Sequence, residues 1–400
     1  MRPRSRRFPA WPLALFASGA LALSGCANFD DSAAGQTWEP APDLTPQAGP
    51  QPQLPEAGGS RAGPPKAPPR TPVPPPDGCK DFNKAVIATC LDTVSAVAAL
   101  PVAGSTIGAL AAERVSGRVL RVSSEPKTEP SEIATFDVDA TGDGGLTGLA
   151  LSPTYAEDRL VFAYLTTEKD NRVVRFAEGQ PPKPVLTGIP KGPEGNRGVL
   201  LADSAGALLV ATGDAGDPAA AADPKSLAGK VLRIDTSGGP AKGNPTAGSR
   251  VLTSGLQAPG GICESADGSR TWVTDRTEGK DVVYRIEPGT ALSTPVWTWP
   301  DRPGVAGCTD WSDVLIVATS KAGNLQNLPV TEEGAISGQP SVTMDGENGS
   351  SFGRLTGMDV VNPDFVVAGT ANKDGGEPVS SDDRVVLISR QQSPAGNGRD

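Results

Sequence analysis

The 400-residue sequence contains no histidine and only five cysteines, none of them in a Cys-x-x-Cys pair. A structural zinc site is therefore a weak alternative, because its usual ligands are missing or wrongly spaced. Positive charge is also scarce, since 36 lysines and arginines stand against 46 aspartates and glutamates, for a formal net charge of −10. An acidic chain without a basic patch is a poor partner for nucleic acid or for electrostatic docking to anionic lipid.

No stretch after residue 100 carries a sustained apolar stripe at helical spacing, and short aliphatic runs separated by polar turns recur instead. Gly145–Leu151, Leu160–Leu165 and Arg172–Phe176 make one copy of this unit. Further copies begin at Val94, Gly198, Gly261, Val305 and Gly357. Their first strands lie about 45–60 residues apart, the length of a four-stranded propeller blade. We predict an all-β fold, a six-bladed β-propeller over residues 92–390; the alternative is a pair of β-sandwiches.

The N-terminus resembles an export signal. Four arginines within the first seven residues precede Trp11–Leu23, an apolar stretch too short to span a membrane as a helix. It ends in Leu23-Ser24-Gly25-Cys26, which resembles the bacterial lipobox; an ordinary secretory signal with a chance cysteine is the alternative. We predict a signal peptide over residues 1–25 and a Cys26 that carries acyl chains such as palmitate. Two or more chains suffice for stable anchoring on the extracytoplasmic face of the cell membrane.

Residues 26–78 are dominated by Pro, Gly, Gln and Ala, with runs such as Pro74-Pro75-Pro76. Such a composition offers almost nothing to a core and favours extended, polyproline-like conformations. We therefore predict a disordered, semi-rigid tether between the anchor and the propeller. The last ten residues, 391–400, are predicted to be disordered as well.

Four cysteines remain if Cys26 is lipidated, and an even number in an exported protein favours disulfides over free thiols. Cys263 and Cys308 stand at matching positions in the first strands of neighbouring repeats, where side chains approach closely. Of the three pairings, the repeat therefore selects Cys263–Cys308. The remaining pair, Cys79–Cys90, then closes a small loop over residues 79–91 in front of the ring.

Several segments carry a family resemblance. They are Gly142–Ala150, Ser152–Tyr155, Asp170–Phe176, Leu209–Asp214 and Ser226–Asp235. Together they resemble the glucose/sorbosone dehydrogenase family, over most of residues 105–390. The resemblance implies a six-bladed propeller that oxidises sugars with calcium-bound pyrroloquinoline quinone (PQQ). The lipobox, the tether, the paired cysteines and Val296–Pro300 further resemble the LppZ-type lipoproteins of actinobacteria.

The resemblance also locates the catalytic base. In the family it is a histidine nineteen residues before the aspartate of a Gly-Asp pair that orients it. Gly213-Asp214 matches that pair, and the histidine position is then Gly195. Sugar oxidation needs a base to take the hydroxyl proton as hydride leaves, so efficient catalysis by this route is not expected. A Gly-Asp pair at the end of a strand is, however, more often an ordinary turn than a functional carboxylate, and Asp214 fits that alternative.

Of the other positions important in the family, some match in this sequence and some differ. Lys321 matches a lysine that contacts the carboxylates of the quinone, although it also fits a solvated loop, and Asp143 stands where the family has a polar substrate-side residue. The Arg-Asn-Pro stretch of the family reads Gln257-Ala258-Pro259, and Arg354 is one residue out of register with a pair of cofactor-binding arginines. We therefore expect weakened cationic contacts to PQQ.

Trp297 and Trp299 offer two interpretations, stacking on a sugar ring or half-buried packing between blades. No metal site is expected from side chains alone. The acidic turn at residues 213–217 lacks the spacing of an EF-hand loop and supplies too few ligands.

Two functions follow from these observations. The first is a non-catalytic, membrane-anchored envelope lipoprotein whose propeller binds a sugar, another envelope ligand or a protein partner. The alternative is a PQQ-dependent sugar or aldose dehydrogenase with an altered base, for which the candidates are Asp143, Glu194 and Asp214.

Overall fold

The computed structural model describes residues 73–346 and 351–390. The predicted signal peptide, Cys26, most of the tether and the tail from Gln391 lie outside these residues. In the described part of the chain, no helix has both the length and the apolar character needed to cross a membrane.

The described residues form 24 strands and two short helices, beginning with β1 (Val86–Ala88). The first full sheet contains β2 (Val94–Ala99), β3 (Gly108–Glu113), β4 (Arg118–Ser123) and β5 (Ser131–Thr135). The second contains β6 (Leu146–Leu151), β7 (Val161–Thr166), β8 (Asn171–Phe176) and β9 (Lys183–Ile189). The third contains β10 (Gly198–Ala202), β11 (Leu208–Thr212), β12 (Lys230–Ile234) and β13 (Val251–Ser254).

The fourth sheet contains β14 (Pro259–Glu264), β15 (Thr271–Arg276), β16 (Asp281–Arg285) and β17 (Trp297–Trp299). The fifth contains β18 (Val305–Asp310), β19 (Val314–Thr319), β20 (Leu325–Pro329) and β21 (Ser341–Thr343). The sixth contains β22 (Leu355–Asn362), β23 (Phe365–Thr370), β24 (Val385–Ser389) and, as its outer strand, β1. All pairings are antiparallel, as in β10 and β11, where Gly198 pairs with Thr212 and Ala202 with Leu208. The six-bladed β-propeller is therefore confirmed.

The two helices lie in connections within blades. α1 (Tyr155–Asp158) lies between β6 and β7, and α2 (Pro218–Ala222) between β11 and β12. α2 begins where the Asp217 side chain accepts hydrogen bonds from the backbone N–H groups of Ala219 and Ala220. This is the usual capping of a helix N-terminus, with a proline in its first turn.

The core consists of apolar layers between neighbouring blades. Leu110 of the first blade and Leu146 of the second are fully buried in one such layer, where Phe136 and Phe176 meet edge to face at 5.2 Å. Close to the axis the blades leave no room for side chains. A Cβ on Gly261 would lie 2.5 Å from the carbonyl oxygen of Ala306, and one on Gly307 would lie 2.3 Å from the amide nitrogen of Met358. The prediction of small residues on the innermost strands thus has a steric cause.

The ring closes through its first strand, since β1 pairs antiparallel with β24 and Val86 lies opposite Val386. The segment 79–91, predicted as a loop in front of the ring, therefore supplies the outer strand of the last blade, and the ring begins before residue 92. The physical reason is that the last blade would otherwise expose an unpaired strand edge. Every strand of the described residues belongs to the closed ring and lies within residues 79–390, so this segment contains the whole ring, and we call it the propeller domain.

Both predicted disulfides are confirmed. Cys79–Cys90 encloses β1, and its Cα atoms are 5.4 Å apart. Cys263 on β14 and Cys308 on β18 join the innermost strands of the fourth and fifth blades, with a Cα–Cα distance of 5.7 Å. One disulfide thus secures the closure of the ring, and the other ties two neighbouring blades at the axis.

Candidate functional site

One end of the propeller gathers arginines around the axis. Arg114 follows β3, Arg197 precedes β10, Arg276 ends β15 and Arg354 precedes β22. First strands begin and second strands end at the same side of each antiparallel sheet, so all four residues lie at one end. We call this end, defined by these four arginines, the upper mouth.

The arginines are close enough to influence one another. Burial lowers the pKa of Arg197, and the neighbouring positive charge of Arg114 lowers it further, whereas Asp143 and Asp374 act in the opposite direction. Burial likewise lowers the pKa of Arg276 to about 9, and the charges of Arg197 and Arg354 add to that effect, whereas Asp281 and Asp143 oppose it. Positive charge is thus concentrated in the upper mouth, and an anion there would be stabilised.

Three of these guanidinium groups have donors without partners. The Nε atoms of Arg114, Arg197 and Arg354 are buried and make no hydrogen bond to any described residue. Backbone carbonyls orient two guanidinium groups of the upper mouth. Arg276 Nε donates to the Val305 oxygen at 2.7 Å, and Arg354 Nη1 donates to the Gly375 oxygen at 2.8 Å. Arg114 is paired with Asp374, whereas neutral acceptors hold Arg276 and Arg354 without cancelling their charge. Carboxylate oxygens of a ligand would therefore find unused donors.

Asp143 faces these arginines from the loop before β6. Its Oδ1 accepts hydrogen bonds from the backbone N–H of Asn196 at 3.0 Å and from the Asn196 side chain at 3.4 Å. Asn196 is itself buried and fixed, because its amide group both donates to and accepts from the backbone of Gly192. The carboxylate is therefore held at a defined place in the upper mouth.

A buried tyrosine lies near Asp143. The hydroxyl of Tyr164 is buried without a hydrogen-bond partner among the described residues. Burial, and then the charge of Asp143, raise the pKa of Tyr164 well above its ordinary value, so it stays neutral. Its ring occupies the space beside Gly198, where a Cβ would lie only 2.3 Å from two ring carbons.

Gly195 and Asp214 are adjacent, as the family resemblance implies. A Cβ on Gly195 would lie 2.6 Å from Asp214 Oδ1 and 2.9 Å from the amide nitrogens of Ala215 and Gly216. Gly195 also has a φ of +70°, a conformation that only glycine adopts without strain. The turn at residues 214–216 thus closes over the place from which a histidine side chain would start.

Asp214 is tied into that turn. It is buried, and its Oδ1 accepts a hydrogen bond from the Gly216 N–H at 2.8 Å. Burial raises the pKa of Asp214 and the nearby charge of Glu194 adds to the rise, although the Gly216 bond opposes it. Glu194, the third candidate base, is exposed at the edge of the same turn. The orienting aspartate of the resemblance is therefore present without the group that it would orient.

Lys321 and Arg354 come together as the resemblance implies. Both line a cavity of about 430 Å³ between the fifth and sixth blades, next to Asn372 and Arg384. Lys321 is exposed, and its backbone N–H donates to the Pro303 oxygen. Its lining also includes Asp345, Glu377 and Asp382, so the cavity beside the upper mouth carries charges of both signs.

The Gln257-Ala258-Pro259 stretch serves the fold rather than a ligand. Both carboxylate oxygens of Asp275 accept the backbone N–H of Gln257, and Oδ1 also accepts that of Ala258 at 2.8 Å. Burial raises the pKa of Asp275 to about 7. The Gln257 Oε1 accepts the backbone N–H of Glu278, so this side chain is also engaged locally.

The two tryptophans pack between blades. Trp297 and Trp299 lie on the outer strand β17, and their layer includes Leu328 of the fifth blade. Trp299 Nε1 donates to Gln326 Oε1 at 3.2 Å. The structure therefore supports the interpretation as inter-blade packing rather than stacking on a sugar.

The cofactors implied by the resemblance fit unequally. The unpartnered guanidinium donors match the three carboxylates of PQQ. For calcium, the described residues contain no cluster of three acidic, histidine or cysteine side chains. A calcium ion would therefore depend on oxygens other than side-chain carboxylates, such as backbone carbonyls or the cofactor itself.

The structure shows three cations at the upper mouth that the sequence analysis did not identify. Arg114, Arg197 and Arg276 were not identified as site residues, yet they dominate the upper mouth. A signal was available: each stands at, or next to, the upper end of a strand in the repeat. A comparison of the residues at this position in every repeat would have identified all three arginines.

Comparisons with known proteins agree with this geometry. The family model described as Glucose / Sorbosone dehydrogenase matches residues 93–304, more than half of the chain. The PQQ-bound form of aldose sugar dehydrogenase from Streptomyces coelicolor is 28% identical with a TM-score of 0.69, and the match covers 79% of this chain and 99% of that one. An oxidoreductase described as a glucose dehydrogenase, from Thermus thermophilus, is 28% identical with a TM-score of 0.67, over 76% of this chain and 98% of that one.

Among curated proteins, the aldose sugar dehydrogenase YliI of Escherichia coli K12 is 26% identical over 182 residues. The match spans 41% of this chain and only 49% of that protein. With its six closed blades and the family match over more than half of its length, the chain belongs to the glucose/sorbosone dehydrogenase family.

Proposed function

We propose that the protein is a lipid-anchored envelope protein of the LppZ type that binds PQQ, or a closely similar aromatic polycarboxylate, in its upper mouth without oxidising aldoses efficiently. The observation that carries this proposal is the arginine cluster with three unpartnered Nε donors, set beside a glycine where the family has its base. The PQQ-bound relative from Streptomyces coelicolor supports the identity of the ligand.

Different residues of the upper mouth would make different contacts with the ligand. Arg197 and Arg276, half-buried at the axis, would hold carboxylates through charge-assisted hydrogen bonds, which are about twice as strong as neutral ones. Arg354 and Lys321 would contact the ligand from the side of the sixth and fifth blades. Asp143 would orient Arg197 from the opposite side. PQQ, when bound, supplies the acceptor for hydride and no base for the proton.

The missing base limits the chemistry. The chain contains no histidine, and the backbone at Gly195 is closed over by the Asp214 turn. Loss of a general base typically lowers a rate by about 10²–10⁴-fold. Binding and catalysis are therefore separated in this chain, with the anion site retained and the proton acceptor lost.

A second candidate, an aldose dehydrogenase with an altered base, is favoured by one observation. Asp143 is half-buried in the upper mouth, and its charge acts on both Arg197 and Arg276. A carboxylate in that place would accept a proton from a substrate bound against the quinone. Asp214 is less suited, because its Oδ1 is engaged by the Gly216 N–H.

Calorimetry of PQQ binding to the propeller domain, with and without Ca²⁺, tests the proposal. We expect a dissociation constant on the order of micromolar and an affinity about 10–100-fold lower in Arg197→Ala, because each charge-assisted bond contributes about 1.5–3 kcal/mol. Arg121→Ala is the matched control, since Arg121 is an exposed arginine that pairs with Glu178 on the outside of the ring. Failure of the unmodified domain to bind PQQ would overturn the proposal.

Dye-linked oxidation of glucose and other aldoses by the PQQ-loaded domain separates the two candidates. The proposal expects no turnover above the free cofactor. Turnover that Asp143→Asn abolishes, measured at a PQQ concentration that saturates the variant, would replace it with the second candidate. Turnover that Asp143→Asn leaves intact would contradict the proposal and would assign the base to Glu194 or Asp214 instead.

Anchoring is tested on the full-length protein. Labelled palmitate should enter the unmodified chain and fail to enter Cys26→Ser, and only the former should sediment with membranes. Equal sedimentation of both proteins, without label, would refute the lipoprotein assignment.

A further inference from the structure

The end of the ring opposite the upper mouth opens into a second cavity of about 720 Å³. It lies where the innermost strands end, and residues of all six blades line it. Small-molecule sites commonly enclose about 300–1,000 Å³, so this volume suits a ligand. We call it the lower cavity.

The wall of the lower cavity is largely apolar. Val97, Leu149, Leu200, Ile262 and Met358 come from five different blades, and Cys308 from the fifth completes the circle as half of the inter-blade disulfide. None of these side chains offers a hydrogen bond that would fix a polar ligand. An aliphatic group would therefore be favoured along the axis by removal of its surface from water.

Four carboxylates lie around this wall, and they fall into two classes. Asp203 is paired with Arg233 at 2.6 Å, and Asp310 is paired with Arg270 at 3.0 Å. Glu264 and Asp359 line the same cavity and form no ion pair with any described residue. Neutral groups hold these two instead: Glu264 Oε2 accepts the Ser204 N–H at 2.8 Å, and Asp359 Oδ2 accepts the Ala99 N–H at 2.7 Å.

The surroundings of these two carboxylates leave their charge uncompensated. Burial raises the pKa of Glu264, with Asp203 adding to the rise and Arg233 opposing it. Burial raises the pKa of Asp359 to about 6. Among the described residues that line the cavity the one cation is Arg390, which is engaged by Asp313 at 2.6 Å and by the Trp311 carbonyl. A cationic ligand would restore the balance that the protein lacks there.

The arrangement of carboxylates in the lower cavity does not suit a metal ion. The described residues hold no group of three acidic side chains able to cage a metal ion, and Glu264 and Asp359 stand on different blades. We propose that the lower cavity is a binding site for an organic cation with an aliphatic body, such as an alkylammonium, whose charge is attracted by the carboxylates of Glu264 and Asp359 while its chain lies along the apolar wall.

Calorimetry with three probes that share an eight-carbon alkyl chain tests this site on the propeller domain. The probes are octyltrimethylammonium, octyl sulfate and octyl glucoside, each used below its micellar concentration. We expect the cation to bind at least about tenfold more tightly than the other two, because only its charge complements the cavity. Equal binding of all three probes, or no binding of the cation, would overturn the proposal.

Single substitutions then locate the probe. Glu264→Gln and Asp359→Asn should each weaken octyltrimethylammonium binding by about 3–10-fold, the usual effect of one partly screened charge pair. Glu157→Gln, which changes an exposed carboxylate of α1, is the matched control and should leave the affinity unchanged. Unchanged affinity in both cavity variants would refute the assignment even if the cation binds.

The site is independent of the proposed function at the other end. Arg197→Ala should bind octyltrimethylammonium as the unmodified domain does, although its affinity for PQQ falls. Equal loss of both ligands would place the two probes in one site and contradict the lower cavity.

Discussion

The two ends of the propeller are built from the same strands and carry opposite chemistry. The upper mouth presents Arg197 and Arg276, held largely by backbone carbonyls or left without partners among the described residues. The lower cavity presents Glu264 and Asp359 on an apolar wall. The innermost strands thus begin near cations and end near carboxylates. The repeat therefore determines the ring, and the residues at strand ends determine what each opening binds.

The ends also differ in how their ion pairs are made. At the lower end, Asp310 accepts from both Arg270 and Trp272 Nε1, and all three side chains are buried. At the upper mouth, Arg114 and Asp374 are 3.2 Å apart, but half of the Asp374 side chain is exposed. Burial makes the first contact part of the core and leaves the second to solvent screening.

The largest expected effect tests this difference in burial between the two ion pairs. Asp310→Ala should lower the free energy of unfolding by about 3–5 kcal/mol, because it strands the buried Arg270 charge. Asp374→Ala should lower it by no more than about 1 kcal/mol, because that pair is exposed. Urea denaturation of the propeller domain measures both. Equal losses would mean that the lower pair is as solvent-screened as the upper one.

The architecture could be predicted closely, and for identifiable reasons. Gly145–Leu151, Leu160–Leu165 and Arg172–Phe176 were predicted as strands, and each lies within one residue of the bounds that the structure shows, because each is a short aliphatic run ended by a turn. Outer strands such as Ser341–Thr343 were missed, since they are exposed and polar and carry no apolar alternation. Strand β1 was missed because its partner, β24, lies some three hundred residues further along the chain.

The site was less accessible to prediction than the fold. Asp143, Asp214, Lys321 and Arg354 were identified through family positions, and all four lie at the upper mouth or in the cavity beside it. Arg197 became visible only in three dimensions, because its importance arises from the approach of charges on different blades. The lower cavity carries no sequence signature, since its carboxylates are spread over separate strand ends.

The second prediction concerns pH and a carboxylate of the upper mouth that lacks an ion pair with any described cation. Asp275 is fully buried, and its pKa is raised to about 7 by burial, with the charge of Asp214 adding to the rise and Arg276 opposing it. A raised folded-state pKa stabilises the protein fully below the unfolded pKa of about 3.9, and this stabilisation is lost as pH rises through 7. Between pH 5 and 8 the loss should be about 2–3 kcal/mol.

Asp275→Asn isolates this contribution. The variant cannot ionise there, so its free energy of unfolding should fall less between pH 5 and 8 than that of the unmodified domain, by the same about 2–3 kcal/mol. Urea titrations at three pH values give both slopes. Asp359 and Asp383, whose pKa values burial also raises to about 6, contribute equally to the two proteins and cancel in the difference. Parallel slopes would assign the raised pKa to another group.

The smallest expected effect concerns two glycines that both have a positive φ and lie at opposite ends of the propeller. Gly195 in the upper mouth has a φ of +70°, and Gly206 in the turn between β10 and β11 has a φ of +82°. A Cβ on Gly206 would meet nothing within 4 Å, whereas one on Gly195 would press on Asp214 and two amide nitrogens. Gly206→Ala should destabilise the domain by about 1 kcal/mol through backbone strain alone. Gly195→Ala should cost at least about 1 kcal/mol more, because the added methyl also forces the turn to move. If urea denaturation shows equal losses, the Asp214 turn yields to a side chain at residue 195, and the place of the missing base is open after all.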